Sequence, residues 1–240
     1  MLAGLAGFEA GQAARGTAGD LRFFGRGRAG LFSWLCLILL LSHGEASAGD
    51  GAIARITAMR GEVKSRPPGN ERGSSCHVGD TISVGDLLST GKDSSAQLVL
   101  TDDSVINLSS STGMRVDQYS FDPAGDSSGG RRTANVKVLE GMARFIVYKD
   151  LRESSFRVRT AQSLTIFSAA DLVARVSPDR TIVAVLRGGV SVRNVKPLVV
   201  GEVRLSDNQV TAVNATAPPA QPSVLTLQQR RIFLKDAKNF

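Results

Sequence analysis

The chain has 240 residues, 42% of them hydrophobic, which is enough for one ordinary globular core plus processing segments but not for a second large domain. Lys and Arg number 29 against 22 Asp and Glu, so the formal net charge is +7 at pH 7. The basic residues are scattered along the sequence without a dense cluster or interleaved aromatic residues, which argues against a nucleic-acid partner. Attraction to anionic cell-wall polymers or lipid headgroups is the alternative that this charge leaves open.

The first predicted element is a secretory signal peptide over residues 1–48. Its apolar run at 31–42 reads LFSWLCLILLLS, three arginines precede the run, and the small residues Ala46 and Ala48 stand just before Gly49. These are the three parts of a cleavable export signal, and we expect cleavage after Ala48. The run has about 12 apolar residues, whereas a membrane-spanning helix needs about 20. We therefore predict an exported protein whose mature form has no stable membrane span.

The predicted mature chain has to fold without a disulfide. Residues 49–240 retain 25 Lys and Arg against 19 Asp and Glu, and their only cysteine is Cys76. One cysteine cannot form an internal bridge, even in an oxidising compartment. We expect the stability of this part to come from its core.

From residue 51 onward the sequence predicts an all-β domain. Short runs of alternating apolar residues are separated by Gly, Asp, Asn and Ser, and no long helical period appears before the tail. We expect many short, mostly antiparallel strands in a sandwich, a barrel or a solenoid-like stack, with hairpins dominating the connections. The predicted strands are 52–58, 62–65, 87–89, 96–101, 104–108, 114–119, 134–140, 142–148, 156–160, 163–168, 171–177, 181–186, 190–194, 202–205 and 209–212.

A loose internal repeat accompanies these strands. One run ends in Leu-Glu-Gly at 139–141 and another in Leu-Arg-Gly at 186–188, and a new apolar strand follows each. Two copies are too few to define a repeat array.

The C-terminal part, 213–240, begins with an Ala- and Pro-rich stretch that is typical of a linker. After it, Leu225, Ile232 and Phe233 stand near helical spacing among Gln, Arg and Lys. Two interpretations remain open here: a short amphipathic helix that docks back or meets a partner, and a solvated tail.

Residues 78–108 carry a more specific pattern. The text VGDTISVGDLLSTGKDSSAQLVLTDDSVINL contains two Gly-Asp pairs, a Thr-Gly pair and an Asp-Asp-Ser hairpin between apolar strands. The residues that form these motifs are Gly79, Asp80, Gly85, Asp86, Thr90, Gly91, Asp102 and Ser104. In this order they resemble the FecR domain, the periplasmic sensor domain of ferric-citrate regulators and their relatives, in which the hairpin usually reads Asp-Gly-Ser.

Later motifs extend the resemblance to about residues 53–210. Gly141, Arg144 and Phe145 lie in the text VLEGMARF, which resembles the family's Leu-Gly-x-Arg/Leu-Phe strand. Residues 156–160, FRVRT, resemble its next strand, and Gly188 lies in LRGGVSV, which resembles its late strand pair. The resemblance implies the fold, a location in the periplasm and a sensing or binding role.

Two departures limit what the resemblance implies. The family usually carries an Ile-Gly-Val-Arg-Gly-Thr turn after the strand that residues 156–160 resemble, while the chain reads TIFSAAD at 165–171. Classical members also place a cytoplasmic region and a membrane helix ahead of the domain, and control a sigma factor through them. Here we expect only a cleavable signal ahead of the domain, so the signalling output is not implied.

Catalytic and metal-binding patterns are missing from the predicted mature sequence. Its one histidine, His77, is adjacent to Cys76, and consecutive residues of an extended strand point to opposite faces. Asp102 and Asp103 form the one tight carboxylate pair, at a position where a hairpin turn is favoured over acid–base chemistry. The Gly-Asp pairs are favoured as turn devices, since Gly adopts positive φ and Asp accepts backbone hydrogen bonds. We expect no cofactor and no metal.

Aromatic platforms for sugars are scarce in the same part of the chain. Trp34 is lost with the signal peptide, and Tyr119 and Tyr148 are each expected to be half-buried at a strand edge.

The leading hypothesis is an exported, non-catalytic FecR-like module that recognises an envelope protein or a cell-wall polymer through loops or strand edges. The alternative is an accessory of a transenvelope signalling relay that acts in trans on a receptor or regulator, with residues 225–240 as its contact. A hydrolase is the third and weakest interpretation. The sequence does not indicate an oligomeric state.

Overall fold

A computed structural model describes residues 51–123, 130–151 and 154–236, all of which belong to one structural unit at 47–240. The predicted signal peptide and its cleavage residues Ala46, Ala48 and Gly49 lie outside the described residues. The all-β prediction is confirmed, with one short helix at the C-terminal end. The strands are β1 (Ala52–Arg60), β2 (Val63–Arg66), β3 (Ser74–Ser75), β4 (Thr81–Ser83), β5 (Leu87–Thr90), β6 (Ser95–Leu100), β7 (Val105–Leu108), β8 (Gly113–Asp122), β9 (Arg131–Val147), β10 (Ser155–Arg159), β11 (Ser163–Phe167), β12 (Ala170–Val176), β13 (Arg180–Gly188), β14 (Val190–Asn194), β15 (Glu202–Leu205), β16 (Gln209–Asn214) and β17 (Ser223–Val224), and the helix is α1 (Leu227–Asp236).

The strands form two sheets that share β9. Sheet A has the order β4-β1-β6-β7-β9-β12-β13-β16-β17, and sheet B has the order β3-β2-β5-β8-β9-β10-β11-β14-β15. Neighbouring strands are antiparallel, except that β9 and β10 run parallel. The chain passes repeatedly from one sheet to the other, so neither sheet consists of one continuous segment of the chain.

Glycines with positive φ mark two places where the chain leaves one sheet for the other. In β9, Glu140 still pairs with β8 of sheet B, and Gly141 already pairs with β12 of sheet A. Gly141 has a φ of +83°, and Gly188, at the end of β13, has a φ of +94° before β14 joins sheet B. Side chains other than hydrogen rarely tolerate this conformation. The two Leu-x-Gly copies of the loose repeat therefore lie at sheet crossings.

The core lies between the two sheets. Alternate residues of the longer strands point inward, and they are almost all Val, Ile, Leu, Ala, Met or Phe. Phe145, Phe156 and Phe167 form an aromatic group within this core, with ring centroids 5.8 and 5.1 Å apart. Removing this apolar surface from water is the main term that stabilises the fold.

The C-terminal segment docks on the outer face of sheet A. Leu225 and Phe233 are buried there in a second apolar cluster with Val173, Ala184 and Val210. Of the two interpretations that the sequence left open for this segment, a short docked helix and a solvated tail, the structure shows the docked helix. No helix of the described residues is long and apolar enough to cross a membrane.

A capping box starts α1 and holds its first turn. The Thr226 N–H donates to Gln229 Oε1 at 2.9 Å, and the Gln229 N–H donates to Thr226 Oγ1 at 3.2 Å. This reciprocal pair satisfies backbone donors that a helix start leaves without partners.

The structure corrects the predicted strands in two respects. The predicted strands at 134–140 and 142–148 are one continuous strand, β9, because Gly141 changes sheet without ending the backbone pairing. In addition, β3, β4 and β17 were not predicted, since two or three residues are too few to show an alternating pattern.

Candidate functional site

The two Gly-Asp pairs form two turns of the same construction. The Asp80 N–H donates to the His77 carbonyl at 3.2 Å, and the Asp80 carboxylate accepts from the His77 N–H at 2.8 Å. Asp86 repeats both contacts with Ser83, at 3.3 and 2.9 Å. Gly79 and Gly85 have φ values of +101° and +91°. The carboxylates thus hold turns together.

The Thr-Gly motif joins β5 to its neighbours. Thr90 Oγ1 donates to the Ser109 carbonyl at 2.5 Å and accepts from the Thr112 N–H at 2.9 Å. The Gly91 N–H donates to the Glu62 carbonyl at 2.9 Å. Thr90 is buried, so its hydroxyl needs these partners, and they tie β5 to the β7–β8 loop.

A buried ion pair lies under the hairpin that carries Asp102. The Arg132 guanidinium on β9 donates to the Asp102 carboxylate at 2.5 Å, and both side chains are 0% exposed. The same guanidinium donates to the carbonyls of Lys149 and Ser168 at 3.2 and 2.5 Å. Ser104 Oγ donates at 2.6 Å to Asp102 Oδ2, the same carboxylate oxygen that accepts from Arg132. One cation thereby holds three chain segments together.

The environment favours the ionised form of Asp102. Burial alone would raise its pKa, but hydrogen bonds from Ser104, Arg132 and Tyr119 outweigh burial and lower the pKa. For Tyr119, burial raises the pKa of the phenol, which therefore stays protonated. The neighbouring Asp103 has a φ of +67° at the position where the FecR hairpin that the sequence resembles usually has glycine, and its exposed carboxylate contacts Lys149 Nζ at 2.6 Å. This cluster is a structural lock of the hairpin.

Cys76 and His77 do not form a catalytic pair in the structure. Cys76 is buried in the core, and burial, followed by the charges of Asp80 and Asp86, raises the pKa of its thiol. His77 points into solvent with 82% of its side chain exposed. Within residues 51–123, 130–151 and 154–236, no group of three or more His, Cys, Asp or Glu could hold a metal ion.

The outer face of sheet A carries the candidate binding site. Arg144 on β9 donates from Nε and Nη2 to the two carboxylate oxygens of Asp171 on β12, at 2.8 and 2.7 Å. The hydrogen bonds that Arg144 donates to Asp171 raise the pKa of Arg144 and keep it charged. This bidentate pair is partly buried and gives the surface a fixed polar feature.

A groove of about 360 Å³ lies next to this ion pair. We call it the sheet A groove, and it is lined by Ile146, Val147, Tyr148, Ala169, Ala170, Asp171, Arg187 and Gly188. Tyr148 is 73% exposed, although the sequence predicted a half-buried residue. That prediction was wrong for Tyr148 because β9 ends one residue before it. Tyr119 is half-buried, as predicted.

Two residues described above, Arg132 of the buried ion pair and Arg187 of the sheet A groove, were not identified as site residues from the sequence. Arg132 occupies an inward position in the alternation of β9, and a charge at such a position is the signal that could have identified it. Arg187 was noted only as one of the scattered basic residues, and it now lies in the groove opposite Asp171 in the strand register.

The comparisons with known proteins agree with the motif pattern. Residues 86–191 match the family model described as FecR protein, a narrower span than the predicted 53–210. No curated protein matches the chain.

Two crystal structures of a candidate anti-sigma factor from Parabacteroides distasonis ATCC 8503 are similar to the chain, with 24% and 23% identity and TM-scores of 0.46 and 0.47. In both cases 62% of this chain is covered, and it spans 64% and 63% of the crystallised chains.

Proposed function

We propose that the chain, whose residues 86–191 match the FecR family model, is an exported, non-catalytic binding module that recognises another protein of the cell envelope through the sheet A groove. FecR domains are typical of the periplasmic side of the envelope, which agrees with the signal peptide that the sequence predicts. The groove supplies the surface for the contact.

The observation that carries the proposal is the combination of Tyr148 and Arg187 at one groove. Both side chains are exposed, and Tyr and Arg are among the residues enriched at the energetic centres of protein interfaces. The described residues contain no carboxylate within ion-pair distance of Arg187, so its charge is available to a partner. Asp171 is already neutralised by Arg144. The groove therefore presents one aromatic ring and one cation beside an apolar floor.

The experiment places a photo-crosslinking amino acid at position 148 in cells, with the same residue at Asp179 as the control. Asp179 is exposed in the β12–β13 turn and does not line the groove. We expect a specific protein adduct from position 148 that position 179 does not give. Once the partner is identified by mass spectrometry, Tyr148→Ala should weaken its binding about tenfold or more, and Asp179→Ala should not.

Two results would contradict the proposal. One is the same adduct pattern at both positions, which would mean that the groove has no specific partner. The other is an unprocessed protein that stays in the cytoplasm, which would remove the basis for an envelope role.

The alternative function, an accessory that acts in trans in a signalling relay, is favoured by the outward surface of α1. Leu227 is 85% exposed there, close to Arg231 and Lys235, although Phe233 of the same helix is buried. Deleting the tail would also uncover the second apolar cluster, so point changes are the better test. Leu227→Ser with Arg231→Gln should abolish binding to a receptor or regulator if α1 is the contact, while the melting temperature stays unchanged.

A further inference from the structure

The outer face of sheet B carries a row of cations that is not apparent in the sequence. Consecutive strands align one residue each in direct register, from β2 through to β15. We call these eight aligned positions the sheet B row, and in order they are Arg66, Leu87, Arg115, Lys137, Arg159, Leu164, Arg193 and Glu202. Five of the eight are cationic. At about 4.8 Å per strand, the distance from Arg66 to Arg193 is about 29 Å.

Folding alone does not favour this arrangement. Arg115, Lys137 and Arg159 are direct cross-strand neighbours, and like charges at such positions destabilise a sheet. Arg115 is compensated by Asp117, whose carboxylate lies 2.5 Å from its Nε. In the part of the chain that the structure describes, no carboxylate lies within ion-pair distance of Lys137, Arg159 or Arg193. The strands β9, β10 and β14, with β11 between the last two, therefore present cations that a bound anion would stabilise.

A second row, two residues along the strands, adds hydrogen-bonding groups. Asn135 is in register with Arg157, and Ser191 is in register with Arg204. These amide and hydroxyl groups suit the hydroxyl groups of a sugar, whereas the guanidinium groups suit carboxylate or phosphate. The face thus combines charge with neutral polar groups.

The row ends in a recess. Arg159, Arg193 and residues of the β14–β15 loop line a groove of about 490 Å³. Lys196 contributes a third cation to this groove, and Glu202 contributes one carboxylate. This volume is in the range of sites that hold small organic molecules. A chain-like ligand can lie along the row and enter the recess. Leu198 and Val200 of that loop are exposed apolar residues.

We propose that the outer face of sheet B binds a linear acidic polysaccharide, whose anionic groups pair with the sheet B row and whose terminal units occupy the recess. This inference concerns a different surface and a different class of partner from the proposal for the sheet A groove. Its test does not depend on whether that proposal is correct.

The test measures binding of purified protein to an oligogalacturonate of about ten units, and separately to vesicles that contain phosphatidylglycerol. The row variant is Lys137→Gln/Arg159→Gln/Arg193→Gln. The matched control, Arg60→Gln/Arg175→Gln/Arg180→Gln, removes the same charge from exposed positions of sheet A. We expect the row variant to lose affinity for the oligosaccharide about tenfold or more and the control to change much less.

Three outcomes would overturn the proposal. Equal loss in both variants would show a general effect of net charge, and binding to vesicles without binding to oligogalacturonate would show a lipid surface as the ligand. The third outcome is read on the unmodified protein by amide hydrogen exchange, so it does not depend on the variant folding. Saturating oligogalacturonate should protect β9, β10 and β14, and protection confined to other strands would contradict the proposal.

Discussion

Replacing Arg132 by methionine removes the cation from the buried network under the hairpin. Asp102 then keeps a 0% exposed carboxylate without its counter-ion, and the carbonyls of Lys149 and Ser168 lose a donor. Breaking one side of a buried ion pair typically destabilises a protein by about 3–5 kcal/mol. This is a large part of the total stability of a domain of this size, which is about 5–15 kcal/mol.

The measurement is urea unfolding followed by far-UV circular dichroism, since residues 49–240 contain no tryptophan for fluorescence. The cycle compares Arg132→Met, Asp102→Asn and the double variant. We expect the double variant to lose much less stability than the sum of the single ones, because it leaves no buried charge without a partner. An Arg132→Met variant that loses less than about 1 kcal/mol would refute the inference that this pair locks the hairpin.

The pH dependence follows from the lowered pKa of Asp102 in the folded protein. In the unfolded chain an Asp titrates near about 3.9. The contribution of the ion pair is therefore fully present above that pH and is lost as the pH falls through the folded pKa. Arg132→Met should flatten this acid limb of the stability curve, and an unchanged limb would mean that another carboxylate produces it.

Three further predictions test the fold. Gly141→Ala places a Cβ 2.5 Å from backbone atoms of the β7–β8 loop and should cost about 3 kcal/mol or more in urea unfolding, whereas Gly79→Ala has open space and should cost about 1–2 kcal/mol of backbone strain. Phe233→Ala should lower the stability by about 3 kcal/mol, and Leu227→Ala on the exposed side of the same helix should change it by less than about 0.5 kcal/mol; equal effects would mean that α1 does not dock. Burial raises the pKa of the Cys76 thiol, so iodoacetamide at pH 8 should modify it slowly in the native protein and rapidly in urea, as followed by mass spectrometry.

The sequence predicts the strands well where apolar and polar residues alternate regularly. It predicts them poorly where the strand depends on pairing with residues far away in the chain. Residues 190–194 and 202–205 were predicted with the observed bounds, because inward Val and Leu alternate with polar residues there. The continuity of β9 was not predictable in the same way. Gly141 has the local signature of a break, and only its pairing with β12 shows that the strand continues in the other sheet.

The candidate sites were less accessible to sequence reasoning than the fold. The motif residues Asp80, Asp86 and Thr90 could be identified from the FecR pattern, but their hydrogen bonds could not. Those of the two aspartates close turns, and those of Thr90 join β5 to the β7–β8 loop. The groove residues Tyr148 and Arg187 come from different strand ends, and no spacing in the sequence relates them. Register between distant strands is the information that was missing.

The sheet B row allows the demands of folding to be separated from those of binding. The core requires that Lys137 and Arg159 point outward, since their neighbours Val136, Val138 and Val158 are buried. It does not require that both be cations, and an acidic residue at one position would stabilise the sheet. Lys137→Glu should therefore raise the free energy of unfolding by about 0.2–1 kcal/mol while it weakens binding to oligogalacturonate. A variant that is less stable than the parent would show that the cation at this position serves the fold, and the row would then need no ligand to explain it.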